Sequence, residues 1–368
     1  MSSERRHSPT SVDVARKPGI GKVFYVLLLF IPLSWYFALT PNQTLTFATS
    51  IVAIIPLARI IGFATKEIVL QTNPAFGGLI NATFGNAIEL FIALLALRKG
   101  LTVVVQASIM GSIVGNILLL TGLSILCGGL RYKEQKFNRD SVGVSSTMLI
   151  IAVVGMTIPT VYSLTTKTVP PRTQMLSDAV AIVMALIYLA SVVFAFFTHK
   201  HLFDASDEIL ETAEKPRLGR AFSAAILLPA TLLVALESEL LVRNLDTAAA
   251  SLGFTQTFVG VVIVAIITNI AEHSNAIHFA LEDKLDVSLE IGLSSAIQIA
   301  LVVVPILVVV GHVGGYEFPL VFSVFELIAM ILAVMIVNHL SADGRCNWLE
   351  GAQLIAVYLI IGIAVFFI

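Results

Sequence analysis

Glu89 sits in Gly85-Asn86-Ala87-Ile88-Glu89, inside an apolar run from Ala75 to Leu97. A charge at that depth in a bilayer costs on the order of 3 kcal/mol or more, so an intramembrane glutamate reads as functional by default. Asn86 lies three residues before it, on the same helix face. The glycines at 77, 78 and 85 loosen the helix and admit a neighbouring backbone. Thr268-Asn269-Ile270-Ala271-Glu272-His273 repeats the device in a second apolar run. One polar interruption in each half of the chain points to a transport site at a repeat interface. Two carboxylates, side-chain amides and carbonyls freed at helix breaks would make an oxygen cage of the kind hard cations require. Paired, buried carboxyls also attract protons. One site that holds either a divalent cation or protons is the minimum needed for exchange. Glu89 and Glu272 are therefore the expected ligands for both.

The plainer reading makes each glutamate a protonated residue joining helices, and Asn86 and Asn269 interhelical hydrogen-bonding groups. The symmetry of the two positions favours the cage. Ser112, Asn116, Ser294, Ser295 and Gln298, on the helices that follow, form a supporting tier of ligands or packing residues. Met110 and the Gly111 to Gly115 spacing read as close helix packing. His273 either relays protons to Glu272 or packs as a neutral ring. Glu272, His273 and His278 do not make a zinc-protease motif, because the histidines are five apart with the glutamate outside them. No G-x-x-x-x-G-K-[ST] occurs, so neither an ATP site nor any other cofactor is implied, and no nucleophile spacing suggests an enzyme.

The elements that must position these residues are membrane helices. Of 368 residues 57% are hydrophobic and 12% charged, and the mean hydropathy is +0.93. That excludes a soluble domain and predicts an all-α polytopic membrane protein. Stretches of spanning length run from Gly21 to Leu39, Leu45 to Gly62, Ala75 to Leu97, Leu101 to Cys127, Val142 to Leu164 and Leu176 to Phe197. They continue from Phe222 to Leu241, Thr255 to Leu281, Val287 to Val313, Phe318 to Leu340 and Trp348 to Ile368. That gives eleven transmembrane helices, with an amphipathic connector over Phe63 to Asn73. The expected division is a basic tail (1–20), an extra first helix (21–40), a five-helix repeat (41–198), an acidic linker (199–217) and a second five-helix repeat (218–368).

Asn86 and Glu89 lie 183 positions before Asn269 and Glu272, and Ser112 and Asn116 lie 182 before Ser294 and Gln298. Pro56 pairs with Pro229, and Glu67 with Glu239. Lys and Arg are concentrated on one side if the N-terminus is cytoplasmic. Five helices per repeat then make the two repeats inverted. The linker residues Asp204, Asp207, Glu208, Glu211 and Glu214 share much of one helical face, either as a cation-collecting regulatory segment or as a solvated spacer. The tail lacks the apolar core of a signal peptide. Cys127 and Cys346 have no metal-ligand spacing.

The two motifs carry a resemblance. G-N-A-I-E resembles the first signature of the calcium/cation–proton exchangers, the proton-driven branch of the calcium/cation antiporter superfamily. T-N-I-A-E-H resembles the second, usually G-N-A-A-E-H. The flanking Q-A-S-I-M-G-S, the extra first helix, the two five-helix blocks and the acidic segment agree, and together they cover nearly the whole chain after the tail. The resemblance implies exchange of cytosolic calcium for protons from outside, and an exchanger for other divalent cations such as manganese stands as an alternative. It assigns Glu89 and Glu272 to cation and proton, with Asn86 and Asn269 beside them. Thr268 departs from the leading Gly of the second signature, and a β-branched residue there is expected to restrict the helix break. The short tails favour a prokaryotic plasma membrane. The lipid bilayer is the expected environment, and nucleic acid is not an expected partner. The alternatives are a sodium-coupled exchanger, whose Ser/Thr- and Pro-rich signatures are absent, and a passive cation channel.

Overall fold

The computed structural model describes residues 22–166, 170–199 and 216–368. Helices dominate it. They are α1 (Phe24–Ala38), α2 (Gln43–Val69), α3 (Pro74–Phe84), α4 (Ala87–Arg98), α5 (Thr102–Tyr132), α6 (Arg139–Thr166) and α7 (Arg172–Thr198). The second half adds α8 (Arg220–Leu252), α9 (Gln256–Thr268), α10 (Ile270–Leu281), α11 (Leu285–Gly314), α12 (Val324–Leu340) and α13 (Trp348–Phe366). Among the described residues, 7 of these helices are long and apolar enough to cross a membrane singly. Two further spans are bent pairs: α3 meets α4 at 48° and α9 meets α10 at 57°.

Local chemistry marks the helix ends. Asn42 caps α2 by accepting the Leu45 N–H at 3.1 Å. Asn73 caps α3 by accepting from Phe76 at 2.9 Å, with Pro74 in the first turn where its missing N–H costs nothing. Ser323 with Glu326, and Asn347 with Glu350, form reciprocal capping boxes at the starts of α12 and α13.

The core lies at the centre of the bundle, where Ile54, Leu57, Met110, Ile113, Ile117 and Leu118 are fully enclosed. α5 and α11 are central, with 72% and 67% of their apolar stretches buried, against 17% for the peripheral α7. α5 and α9 approach almost backbone to backbone. A Cβ on Gly111 would lie 2.4 Å from the Val261 carbonyl oxygen, and one on Gly260 would lie 2.6 Å from the Ala107 methyl. This is the small-residue contact through which membrane helices pack closely. Gly115, which shares the predicted spacing, faces open room, with the Tyr358 ring 4.0 Å away.

The structure corrects four expectations. The chain is not purely helical: β1 (Glu134–Lys136) pairs antiparallel with β2 (Arg345–Asn347), Gln135 opposite Cys346. This ribbon joins a loop of the first half to a loop of the second. Most of the expected connector from Phe63 to Asn73 is instead the continuation of α2 to Val69. α8 likewise runs past Leu241 to Leu252, because isolated charges such as Arg243 end a hydropathic stretch without ending a helix. Glu67 and Glu239 do not share an environment. Glu67 is buried and accepts the backbone N–H groups of Arg217 and Leu218 at 2.7 and 2.9 Å, whereas Glu239 is exposed and the buried carboxyl of α8 is Glu237. Asp204, Asp207, Glu208, Glu211 and Glu214 lie outside the described residues, as does the basic tail.

Candidate cation and proton site

Each bent span departs from helical geometry at its asparagine. Asn86 has φ −106° and ψ 20°, and Asn269 has φ −97° and ψ 11°. Both fall in the sparsely populated bridge region, which a non-glycine residue can enter. The expected restriction by Thr268 is therefore not observed. Thr268 remains the last residue of α9, and its hydroxyl turns back to the Ala265 carbonyl at 3.3 Å. The glycine of the first motif answers a different need, since a Cβ on Gly85 would stand 2.5 Å from the Asn81 carbonyl oxygen.

The asparagines bind across the halves. Asn86 donates to Gln298 Oε1 of α11 at 2.8 Å. Asn116 of α5 donates to Asn269 Oδ1 at 2.9 Å. Each break thus meets the amide side chain on the helix after the other break. Asn269 also donates to Ser112 Oγ at 3.1 Å, and Asn116 donates to Ser295 Oγ at 2.9 Å. Ser294, expected to match Ser112, is turned away, its hydroxyl 3.4 Å from the Ile291 carbonyl of its own helix. Ser295 takes the place beside Asn116, which shifts that pairing by one residue to the same offset as the motifs.

One turn beyond each break stand Glu89 on α4 and Glu272 on α10. Their carboxyls come close enough for the charges to interact. One oxygen of each, Oε2, is buried without a hydrogen-bond partner among the described residues. Asn116 Oδ1 is in the same condition. Such groups are costly unless something completes them. A cavity of about 10 Å³, on the order of one water molecule, lies against Glu89, Ser108, Ser112 and Thr268, closed by Ile299 and Val303. The Glu89 carboxyl and the Ser108, Ser112 and Thr268 hydroxyls converge there, with the Asn269 amide bonded to Ser112 beside them, and among the described residues no thiolate or imidazole lines the cavity. That donor set suits a hard cation or a proton. His273 is buried behind Glu272, with Nε2 unpaired among the described residues.

The structure brings Glu89, Glu272, Asn86, Asn269, Ser112, Asn116, Ser295 and Gln298 together and turns Ser294 to its own helix. The sequence reading does not single out Ser108 or Thr268 as lining the cavity. Ser108 lies one turn before Ser112, and that spacing was the available signal. Thr268 had been considered only for its backbone.

The model of the sodium/calcium exchanger protein family matches the chain twice, over residues 42–197 and 222–367. The Ca(2+)/H(+) antiporter of Synechocystis sp. is 43% identical, the match covering 94% of this chain and 97% of that one. Ca(2+)/H(+) antiporter ChaA of Bacillus subtilis is 40% identical, over 94% and 99%. Among solved structures, native YfkE superposes with a TM-score of 0.82 at 38% identity, covering 94% of this chain and all of that one. The H+/Ca2+ exchanger CAX shares the fold, with a TM-score of 0.68 at 16% identity over 94% and 91%. The paired breaks, their cross-linked asparagines and these matches place the chain in the sodium/calcium exchanger protein family, among its proton-driven calcium relatives.

Proposed function

We propose that this protein is a secondary antiporter that exchanges cytosolic Ca2+ for protons, with Glu89 and Glu272 as the shared binding carboxyls. The observation that carries the reading is the pair of neighbouring carboxyls, each with a buried oxygen that lacks a partner among the described residues, one turn beyond a helix break. The full-length relatives named Ca(2+)/H(+) antiporters support the choice of driving ion and cargo. Asn86, Asn269, Ser112, Asn116, Ser295 and Gln298 hold the breaks and supply further oxygens. His273 packs behind Glu272 and tunes it.

Counting each bent pair as one span, the long helices with α1 and α12 make eleven. The double family match supports an extra first helix followed by two repeats, over 41–198 and 218–368. The repeats run in opposite directions, the N-terminus is cytoplasmic, and the acidic linker over 199–217 lies on the cytoplasmic side. The surrounding membrane is a prokaryotic plasma membrane.

Cation and protons compete for the same oxygens. With the carboxylates facing the cytoplasm, cation binding releases their protons. After the repeats rearrange, outside protons displace the cation and the protonated site returns. Both loaded forms neutralise the carboxylates, so the apolar barrier passes over them, whereas the empty ionised pair is held in place.

The test is calcium uptake into proteoliposomes under an imposed pH gradient without sodium, comparing wild type with Glu89→Gln and Glu272→Gln. Uptake should follow the gradient and vanish in both variants. Uptake that ignores the gradient would mean a channel, and uptake that requires sodium would mean a sodium-coupled exchanger. Full activity in both variants would remove these carboxyls from the mechanism.

A further inference from the structure

Another buried carboxyl lies well apart from the two motifs. Glu237 on α8 is fully enclosed where α8, α2 and the first helix α1 meet. Its Oε1 accepts the Ser34 hydroxyl of α1 at 2.9 Å. Its Oε2 is buried with no hydrogen-bond partner among the described residues, and the same holds for the hydroxyls of Ser50 on α2 and Ser238 on α8. Ser50 and the Trp35 indole are the other polar groups beside the carboxyl.

Among the described residues, no positive charge faces this pocket. On α1 the remaining titratable groups are Tyr25 and Tyr36, both exposed. On α2, Arg59 lies over the Phe24 ring at 4.9 Å, Lys66 is four turns along from Ser50, and Glu67 caps the linker end. On α8, Glu239, Arg243 and Asp246 are exposed. From α4, which also packs on α8, Glu89 faces its own cavity, Arg98 is exposed, and Lys99 just beyond bonds the Val242 carbonyl at 3.2 Å. An unpaired carboxylate enclosed in this way is strongly disfavoured. A proton on Oε2 removes the charge and supplies the donor that the ionised form lacks, with the Ser50 oxygen as its acceptor.

We propose that Glu237 is a proton-binding site outside the exchange pathway, and that its proton fastens the first helix to the α2–α8 pair. The neutral acid bridges Ser34 of α1 and Ser50 of α2. Loss of the proton breaks the bridge to Ser50 and leaves an enclosed charge that the Ser34 hydroxyl alone does not offset, so α1 loosens to let water reach it. The first helix belongs to neither repeat, so docking it becomes a proton-linked step distinct from ion binding at the exchange site, and undocking it slows transport.

The two tryptophans, Trp35 and Trp348, supply the readout. Trp348→Phe leaves Trp35, beside the carboxyl, as the sole tryptophan. In detergent, its emission should show a single one-proton transition as the pH is raised. Adding Glu237→Gln, a neutral isostere, should abolish the transition and fix emission at the acid-form value. Adding Ser34→Ala should move the midpoint by about half a unit or more, because that hydroxyl bonds one form of the carboxyl differently from the other. In proteoliposomes, wild-type uptake should decline on the alkaline side, and Glu237→Gln should match wild type at acidic pH without that decline. Flat emission in the Trp348→Phe protein would overturn the proposal, as would a transition that survives Glu237→Gln or an unchanged midpoint in Ser34→Ala. An alkaline decline identical in wild type and Glu237→Gln would overturn the link to transport. The fluorescence arms stand whichever ion drives exchange.

Discussion

The Asn116 amide nitrogen bridges Asn269 and Ser295, while its own Oδ1 stays buried and unpartnered. Interhelical hydrogen bonds in membrane proteins average only about 0.6 kcal/mol. Stability alone is a weak reason to gather so many at two helix breaks. Positioning oxygens for a cation is a stronger one. Asn116→Ala removes an oxygen and frees Asn269 at once. The calcium concentration for half-maximal proton-driven uptake should rise by roughly tenfold, about 1.4 kcal/mol, with the protein still eluting as folded material. Ser294→Ala, whose hydroxyl serves its own helix, should leave that concentration within about twofold of wild type, a difference of roughly 0.4 kcal/mol. Both values come from calcium-dependent uptake curves.

Between elements, the contact of α5 with α9 sets how near the two halves approach the site. Gly111 touches the Val261 backbone, whereas Gly115, four residues on, has room. Gly111→Val should therefore lower the thermal midpoint in detergent, since overpacking of this kind costs roughly 1–3 kcal/mol. Gly115→Ala should not lower it. The sequence showed small residues at the right spacing but could not say which faces a backbone, because that depends on where another helix crosses. Spans were legible because apolar length is itself the signal. The break at Asn269 was legible from its match to Asn86, but its tolerance of Thr268 was not. Propensity speaks to the residue type, whereas the backbone leaves the helix one residue later. The ribbon was illegible because each strand is three residues long, too short to show alternation.

Taken whole, the molecule fastens its halves both at the site and at one end. Cys346 marks that end: burial pushes its thiol up to about 12, with the Glu350, Asp343 and Glu134 carboxylates adding to the effect. A thiol ionises more readily as pH rises, so at pH 8 only about one Cys346 in ten thousand is thiolate. Maleimide labelling of Cys346 in native Cys127→Ser protein should be slow at pH 8 and become fast on denaturation, as read by mass spectrometry. Fast native labelling would mean that the ribbon is open. The match of Glu89 with Glu272 was legible because two polar positions per half stand out against apolar sequence. The partners of Glu67 and Glu237 were not, because each faces a segment with no counterpart in the other half: the linker end and the first helix.

The ribbon also orders events in time. β1 is synthesised more than 200 residues before β2, which is roughly ten to forty seconds at ordinary elongation rates. Throughout that interval the first half carries a strand whose backbone groups have nothing to pair with except water. Closure comes only with the residues just before the final helix. The ribbon therefore acts as a completion mark: a chain that stops short of β2 can insert many helices but leaves that seam unsealed.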